Sequence, residues 1–202
     1  KEPELSGFSS LNAAINHQGN SLDAIDALHQ RTASPRLIEP APSNSELETI
    51  YKAGLRAPDH GMLRPWRFLV VKAGAREKLG ELFAENINPD SEEQKTKLRN
   101  TPMRAPIVIV AVAEIQEHPK VPPVEQITST AAAIQNMSVA IHALGYASIW
   151  RTGKAAFNDG VKEALGFSSK DEIVGFLYVG TPTVQREIPE NKTKDFFKEW
   201  AG

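Results

Sequence analysis

The segment from Gln126 to Trp150 contains no charged side chain, although charged residues make up 24% of the whole sequence. Its apolar residues recur at helical spacing, and Gly145 follows where such a helix would end. The repeating positions are Ile127, Ala131, Ile134, Met137, Ile141 and Leu144. Since the residues between them are mostly Ala, Ser and Thr, all sides are small or apolar, and a helix of that kind is usually buried all round. One domain of 202 residues has difficulty covering every side, so we expect burial against a second subunit.

The composition argues against several classes of protein. A net charge of -2 disfavours a protein that binds mainly nucleic acid, because phosphate binding requires a basic surface. The lack of cysteine excludes disulfides, thiolate metal sites and cysteine nucleophiles, and is compatible with the cytoplasm, where we expect the protein. The five histidines lack the i, i+4 spacing of a zinc helix, so we expect no metal. Gln135, Asn136 and His142 make the uncharged helix a poor membrane span.

The chain divides into a short leader and one domain. Residues 1–20 mix polar residues with single apolar ones, and we interpret them as a flexible arm or a non-native remnant rather than a signal peptide. The domain covers 21–202. Ser21 is placed to cap a helix with apolar positions Leu22, Ile25 and Leu28. Ser43 and Glu46 have the spacing of a capping box, which predicts a second helix that Pro58 stops.

Four apolar segments read as strands and alternate with further helices: Phe68–Lys72, Ile107–Ala113, Tyr146–Trp150 and Ile173–Val179, the last ended by Gly180. Two charged helices are predicted within 75–100, and one at Phe157–Leu165. The dinucleotide fingerprint Gly-x-Gly-x-x-Gly, the phosphate loop and the Gly-x-Ser-x-Gly elbow are all absent from the sequence. Hydrolase and resident-dinucleotide functions therefore lack their usual motifs.

The segment from Arg56 to Phe68 contains two prolines surrounded by cationic candidates. These are Arg56 itself, His60, Arg64 and Arg67. Proline fixes its own φ and restricts the preceding residue, so the sequence predicts a rigid cationic loop between a helix and a strand. Such a loop suits an anionic, planar ligand such as a flavin mononucleotide, although Arg-rich turns also occur for solvation alone. Two more clusters lie at predicted element ends, where ligand sites tend to form: Gln30-Arg31-Thr32 and Trp150-Arg151-Thr152. The planar fork of Arg meets two phosphate oxygens at once.

These motifs, in this order and spacing, resemble the FMN-dependent nitroreductase family, particularly its short bacterial members, from about Leu22 to Thr183. The matching segments are 31–32, 53–60, 64–68, 145–153 and 174–182. The resemblance implies an α+β sandwich with a central, mostly antiparallel sheet between helices. It also implies an intertwined homodimer with one FMN in each of two clefts at the interface.

The resemblance further implies a site and a reaction. Six residues match FMN-contacting positions of the same subunit, and two match positions that reach FMN from the other subunit: Gln30, Arg31, Thr32, Trp150, Arg151 and Thr152, with Arg56 and His60. NADH or NADPH would visit as a transient co-substrate and pass hydride to the flavin. A nitroaromatic, quinone or enone would then replace it in a ping-pong cycle. The flavin carries the chemistry, so no catalytic side chain is assigned.

Two departures from the family pattern leave a second function open. Gln30 stands where the family commonly has Arg, and Arg64 where it often has Gln. The connection between the first two predicted strands is too short for a large lid. A flavin-binding protein without significant turnover, for storage, sensing or partner binding, is therefore the alternative.

Several site residues also have structural interpretations. Arg31 can cap the carbonyl end of the first helix. His60 can bond Asp59 or a backbone group. Trp66 is expected in the core or at the dimer contact, and Trp150 at either the flavin or the core. Arg67 and Arg104 are interpreted as surface charges. His142 is interpreted as a core or interface residue.

Overall fold

A computed structural model describes residues 22–184 and 186–202 of the chain. The helices and strands follow one another as α1 (Ala24–Gln30), β1 (Leu37–Ile38), α2 (Asn44–Gly54), β2 (Trp66–Lys72), α3 (Ala75–Asn86), α4 (Glu92–Arg99), β3 (Ile107–Ala113), α5 (Pro123–Ala143), β4 (Ala147–Arg151), α6 (Gly153–Ala156), α7 (Asp159–Ala164) and β5 (Glu172–Pro182). The leader predicted at 1–20 lies outside the described residues. Within the described ranges, no helix is both long enough and apolar enough to cross a membrane.

The five strands form one sheet in the order β1-β5-β3-β2, with β4 on β5. All paired strands are antiparallel, and β3 lies between β2 and β5. Every residue of β3 is buried, because the strand is paired on both edges and covered on both faces. This arrangement explains its uninterrupted run of Ile, Val and Ala. The predicted α+β architecture with a mostly antiparallel sheet is confirmed.

Alternation along the strands divides the core into two layers. Val108, Val110 and Val112 face α3, α6 and α7, where Phe83 meets Phe176 edge-on with ring centres 5.3 Å apart. The opposite sheet face packs against α2 and α5. The buried members of this second layer are Leu47, Ile50, Ile107, Ile109, Ala111, Ile134, Met137, Ile141, Tyr146, Leu177 and Val179. The helix predicted from the uncharged segment is α5, which begins earlier, at Pro123, includes Glu125, and lies on the sheet face away from α3.

Of the two helix starts predicted from capping residues, the start of α2 is confirmed and the start of α1 is corrected. Ser43 and Glu46 form the predicted capping box, in which each side chain accepts the backbone N–H of the other residue. The first helix was placed incorrectly, because Asp23 rather than Ser21 is its cap and α1 begins at Ala24. The Asp23 carboxylate accepts the backbone N–H of Ile25 at 2.9 Å. Ser21 itself lies outside the described residues.

Two further predictions are corrected by the structure. The helix predicted over Phe157–Leu165 is confined to α7, because Phe157 is the C-cap of the preceding α6 and the Asn158 side chain caps α7 by accepting the N–H of Val161 at 2.8 Å. The last strand does not end at Gly180 but continues to Pro182, since β1 pairs with its final residues. A two-residue strand such as β1 has too little periodicity to be recognised in sequence.

Candidate functional site

The end of α2 and the following loop lie along one side of α5. A Cβ on Gly54 would come within 2.8 Å of the Met137 side chain, so the two helices approach closely only because this residue is glycine. One turn before Met137, Ala133 packs against Ala57 and Trp66, and all three are buried. Trp66 is therefore a core residue, as one of its two interpretations held.

The contacts continue toward the first turn of α5. The Ser129 hydroxyl donates to the carbonyl oxygen of Pro58 at 2.5 Å. Four residues earlier, the Glu125 carboxylate lies 2.6 Å from Nδ1 of His60. Positions 125, 129 and 133 are one helical face, since residues four apart lie above one another. One face of α5 thus fixes the path of residues 57–60.

The loop is also held from within. The Asp59 carboxylate accepts the backbone N–H of Arg64 at 2.7 Å, which closes the turn around Gly61. Gly61, Met62 and Arg64 all have positive φ, of 73°, 54° and 49°. For the two non-glycine residues this conformation costs about 1–2 kcal/mol each. The side-chain and helix contacts must offset that cost for the loop to keep its shape.

The arginines of this loop have different roles. Arg67 forms an ion pair with Glu114 and donates to the carbonyl oxygens of Arg64 and Trp66 at 3.0 and 2.9 Å, so it tethers the loop and is not a free surface charge. Arg56 and Arg64 are exposed. Neither forms an ion pair within the part of the chain that the structure describes. Two uncompensated cations therefore flank His60.

The first cluster in chain order, Gln30-Arg31-Thr32, follows α1 and runs beside β4. Arg31 is the C-cap of α1, and its backbone N–H donates to the carbonyl oxygen of Ala27 at 3.2 Å. Two residues later Ala33 forms a parallel bridge with Ser148 of β4. Gln30 is exposed, whereas Arg31 and Thr32 are partly buried. The bridge therefore places this cluster next to the strand that carries the third cluster.

In the third cluster, Trp150-Arg151-Thr152, adjacent strand residues face opposite sides of the sheet. The Arg151 guanidinium lies 6.0 Å from the centre of the Tyr178 ring, and its Nε is buried without a hydrogen-bond partner in the described chain. Burial raises the pKa of Tyr178 to about 12, although the charge of Arg151 acts in the opposite direction. Trp150 donates its indole N–H to the carbonyl oxygen of Val174 at 3.1 Å. Thr152 is exposed just beyond the strand.

The single chain does not bring all eight predicted residues together. His60 pairs with Glu125 in the first turn of α5. Arg31 lies near the last turn of the same helix, where burial and then the Arg31 charge lower the pKa of His142. At 1.5 Å per residue, residues 125 and 142 are separated by about 26 Å along the helix. Within one chain, the first and third clusters share β4, while His60 lies far from Arg31 and the residue after Arg56 packs on Ala133, in the middle of the helix.

One partner in the site was missed by sequence reasoning. Glu125 is 65 residues away from His60 along the chain, so no local pattern links them. His60 bonds Glu125 instead of Asp59, one of its two earlier interpretations, and the Asp59 carboxylate accepts the N–H of Arg64. Across the described residues, His, Asp and Glu side chains do not gather in groups of three that could hold a metal ion.

Comparison with known proteins places this geometry in a family. A model described as "Nitroreductase family" matches residues 37–181. The chain is 40% identical over 172 residues to "Putative NAD(P)H nitroreductase YdjA" of Escherichia coli (strain K12), covering 84% of this chain and 94% of the relative. It is 36% identical over 180 residues to "Putative NAD(P)H nitroreductase" of Haemophilus influenzae, covering 87% and 98%.

Solved structures agree on the fold. A nitroreductase-like family protein from Bacillus cereus superposes with a TM-score of 0.80 at 19% identity, covering 91% of this chain and 99% of the other. A protein described as "a putative nitroreductase in complex with fmn" from Desulfovibrio desulfuricans gives a TM-score of 0.69 at 21% identity, with coverage of 91% and 99%. At these identities the superpositions establish a shared fold. From the matched segment, the curated relatives and the sheet architecture, the chain belongs to the nitroreductase family.

Proposed function

We propose that this protein is an FMN-dependent oxidoreductase that uses NADH or NADPH to reduce nitroaromatics, quinones or similar acceptors in a ping-pong cycle. Family membership and the NAD(P)H nitroreductase names of its relatives support a redox enzyme. We assign FMN binding to the domain at 21–202. The protein would work as a homodimer in the cytoplasm, with no nucleic-acid or membrane partner.

The donors around β4 fit a phosphorylated flavin. Arg151 has a buried Nε that lacks an acceptor within the described chain, and a ligand oxygen would satisfy it. Arg31 is a partly buried cation, and charge-assisted bonds from Arg suit phosphate. Thr32 and Thr152 supply hydroxyls for the sugar-alcohol chain, and the exposed Gln30 adds a neutral donor. When bound, FMN supplies the hydride chemistry, while these residues bind and orient it.

The exposed apolar surface supports a second copy of the chain. In α1 the buried residue is Ala27, whereas Ile25 and Leu28 are 57% and 52% exposed, so the apolar stripe predicted from sequence faces outward. From Thr128 to Val139 the side of α5 away from the sheet is neutral and incompletely covered. Its residues include Thr128, Ala131, Ala132, Gln135 and Val139. Three aromatic side chains of the tail are also exposed: Phe196, Phe197 and Trp200. Monomers rarely leave such surfaces open.

The separation of the clusters along α5 is the observation that carries the proposal. A two-fold axis perpendicular to this helix would pair it antiparallel with its copy. The first turn of one α5 would then lie beside the last turn of the other. Arg56 and His60 of one subunit would approach Arg31 and Thr32 of the next. Two equivalent composite sites would result, each needing both subunits.

The surroundings of this cleft bear on its substrates. The helices between β2 and β3 are α3 and α4, and they pack on the sheet face opposite α5. Their position supports an open cleft without a lid, in which planar acceptors of different size can stack. The alternative, a flavin binder without turnover, is favoured by one feature: Gln30 provides no charge where the family commonly has Arg.

The test combines three measurements on the purified protein. We expect a dimeric mass, about one FMN bound per chain, and a yellow colour that NADH or NADPH bleaches. Addition of a nitroaromatic or quinone should restore the colour. A yellow dimer that neither nicotinamide reduces would support the binder instead. A monomer that cannot be loaded with FMN would refute both functions.

A further inference from the structure

The contact between His60 and Glu125 joins a candidate flavin residue to a residue that no motif marked. Nδ1 of His60 lies 2.6 Å from the Glu125 carboxylate, with side chains 56% and 44% exposed in the single chain. We propose that Glu125 is a positioning residue that fixes the orientation and tautomer of His60, so that Nε2 is the ring atom offered to the ligand. The proposal rests on the function above only in assigning His60 to the flavin cleft.

The chemistry of the pair determines which nitrogen is free. An ionised carboxylate only accepts hydrogen bonds, so at 2.6 Å the Nδ1 of His60 must carry the hydrogen. In the neutral ring Nε2 is then an acceptor, and in the protonated ring it is a donor. In both states Nε2 points away from Glu125. The ring can therefore take or release a proton at one defined atom.

The position of Glu125 does not depend on the histidine. Glu125 lies in the first turn of α5, where the helix dipole favours a negative charge. One turn later Ser129 holds the carbonyl oxygen of Pro58, which fixes the backbone two residues before His60. Both the ring and its partner are thus anchored to the same helix face.

Other charged groups around the ring do not replace Glu125. The Asp59 carboxylate bonds the backbone N–H of Arg64, whereas the His60 ring bonds Glu125. The side chains of Arg56 and Arg64 in the same loop have no acceptor atom. The carboxylate of Glu125 is therefore the group that selects the Nδ1–H tautomer within the described chain. Its loss should leave the loop in place, because the Ser129 and Asp59 bonds remain.

The primary experiment needs no flavin. The ring nitrogens of His60 are followed by ¹⁵N NMR in the full-length protein, at a pH where the spectrum shows a neutral ring, and are assigned with a His60→Asn variant. We expect the Nδ1–H tautomer in the natural protein. Glu125→Gln should produce a mixture, because an amide can accept from Nδ1–H or donate to bare Nδ1. Glu81→Gln is the matched control, since it removes a carboxylate of similar exposure, 52% against 44%, from an ion pair with Arg99.

The second measurement titrates FMN into the same proteins. Since the pair is half exposed, Glu125→Gln should weaken FMN binding, or raise KM for the acceptor, by about two- to fivefold. An unchanged tautomer in Glu125→Gln would overturn the inference, whether or not FMN binds. A tautomer mixture with no FMN binding in any of the proteins, including the natural one, would refute the proposed function and leave the pair's geometry intact. A mixture with FMN affinity and KM both unchanged would overturn the positioning role.

Discussion

A mixed dimer provides the sharpest test of the composite site. Arg31→Ala should remove charge-assisted bonds to phosphate, which contribute about 1.5–3 kcal/mol, so the variant homodimer should bind FMN about 10- to 100-fold more weakly. Arg56→Ala should weaken binding from the other side of the cleft. Arg31 lies beside the last turn of α5, whereas the loop that follows Arg56 is held by Ala133, Ser129 and Glu125 nearer its start. In the proposed antiparallel dimer the two substitutions would therefore affect the same site only across subunits.

The arithmetic of the heterodimer follows from that geometry. A dimer of one Arg31→Ala chain and one Arg56→Ala chain has one site with both substitutions and one site with neither. Co-expression with two different tags isolates this species, and the flavin is counted by absorbance after titration. We expect one tightly bound FMN per heterodimer, against two in the natural dimer. Arg99→Ala, on the distant α4, should retain two. A heterodimer without a tight site would show that each cleft is built within one chain.

Three other substitutions test the structure. Gly80→Ala should lower the free energy of unfolding, measured in urea, by about 2 kcal/mol, because its Cβ would lie 2.1 Å from the carbonyl oxygen of Arg99. The control Gly74→Ala has open space at Cβ and should change the free energy of unfolding by about 0.5 kcal/mol or less. Burial raises the pKa of Tyr178 to about 12, so the folded state favours the neutral phenol. The resulting contribution to the free energy of unfolding is retained below pH 10 and is lost from pH 10 to 12. That fall is about 1.4 kcal/mol by pH 11, and Tyr178→Phe should lack it; equal losses in both proteins would contradict the assignment. Gly175→Ala would bring a Cβ to 2.1 Å from Nε1 of Trp150, so we expect a shifted tryptophan emission and weaker FMN binding. Unchanged fluorescence would show that the indole does not pack against the backbone at this residue.

Several elements could be predicted because their cause is local. The capping box at Ser43 and Glu46, the buried run of β3 and the two charged helices α3 and α4 follow from neighbours in the chain. Errors arose where a distant segment decided the outcome. β5 extends past Gly180 because β1, far away in sequence, supplies its partner. The start of α1 is a separate, local error, because Asp23 is also a capping residue type and accepts the N–H of Ile25.

The candidate site shows the same division. Residue types and spacing were sufficient to indicate three polar clusters and the family they resemble, because those signals lie within short motifs. Sequence could not reveal that Glu125 bonds His60, or that Arg67 forms an ion pair with Glu114. Contacts between distant segments depend on how the helix and the sheet pack.

The amino-acid sequence by itself determined the family, the strands of the core and the lack of charged side chains along α5 after Glu125. The tertiary structure alone decided where the clusters lie relative to one another. It put Arg31 near one end of a 21-residue helix and His60 at the other. The physical reason is that periodicity and capping act over a few residues, whereas distances between sites are set by rigid elements packed against each other.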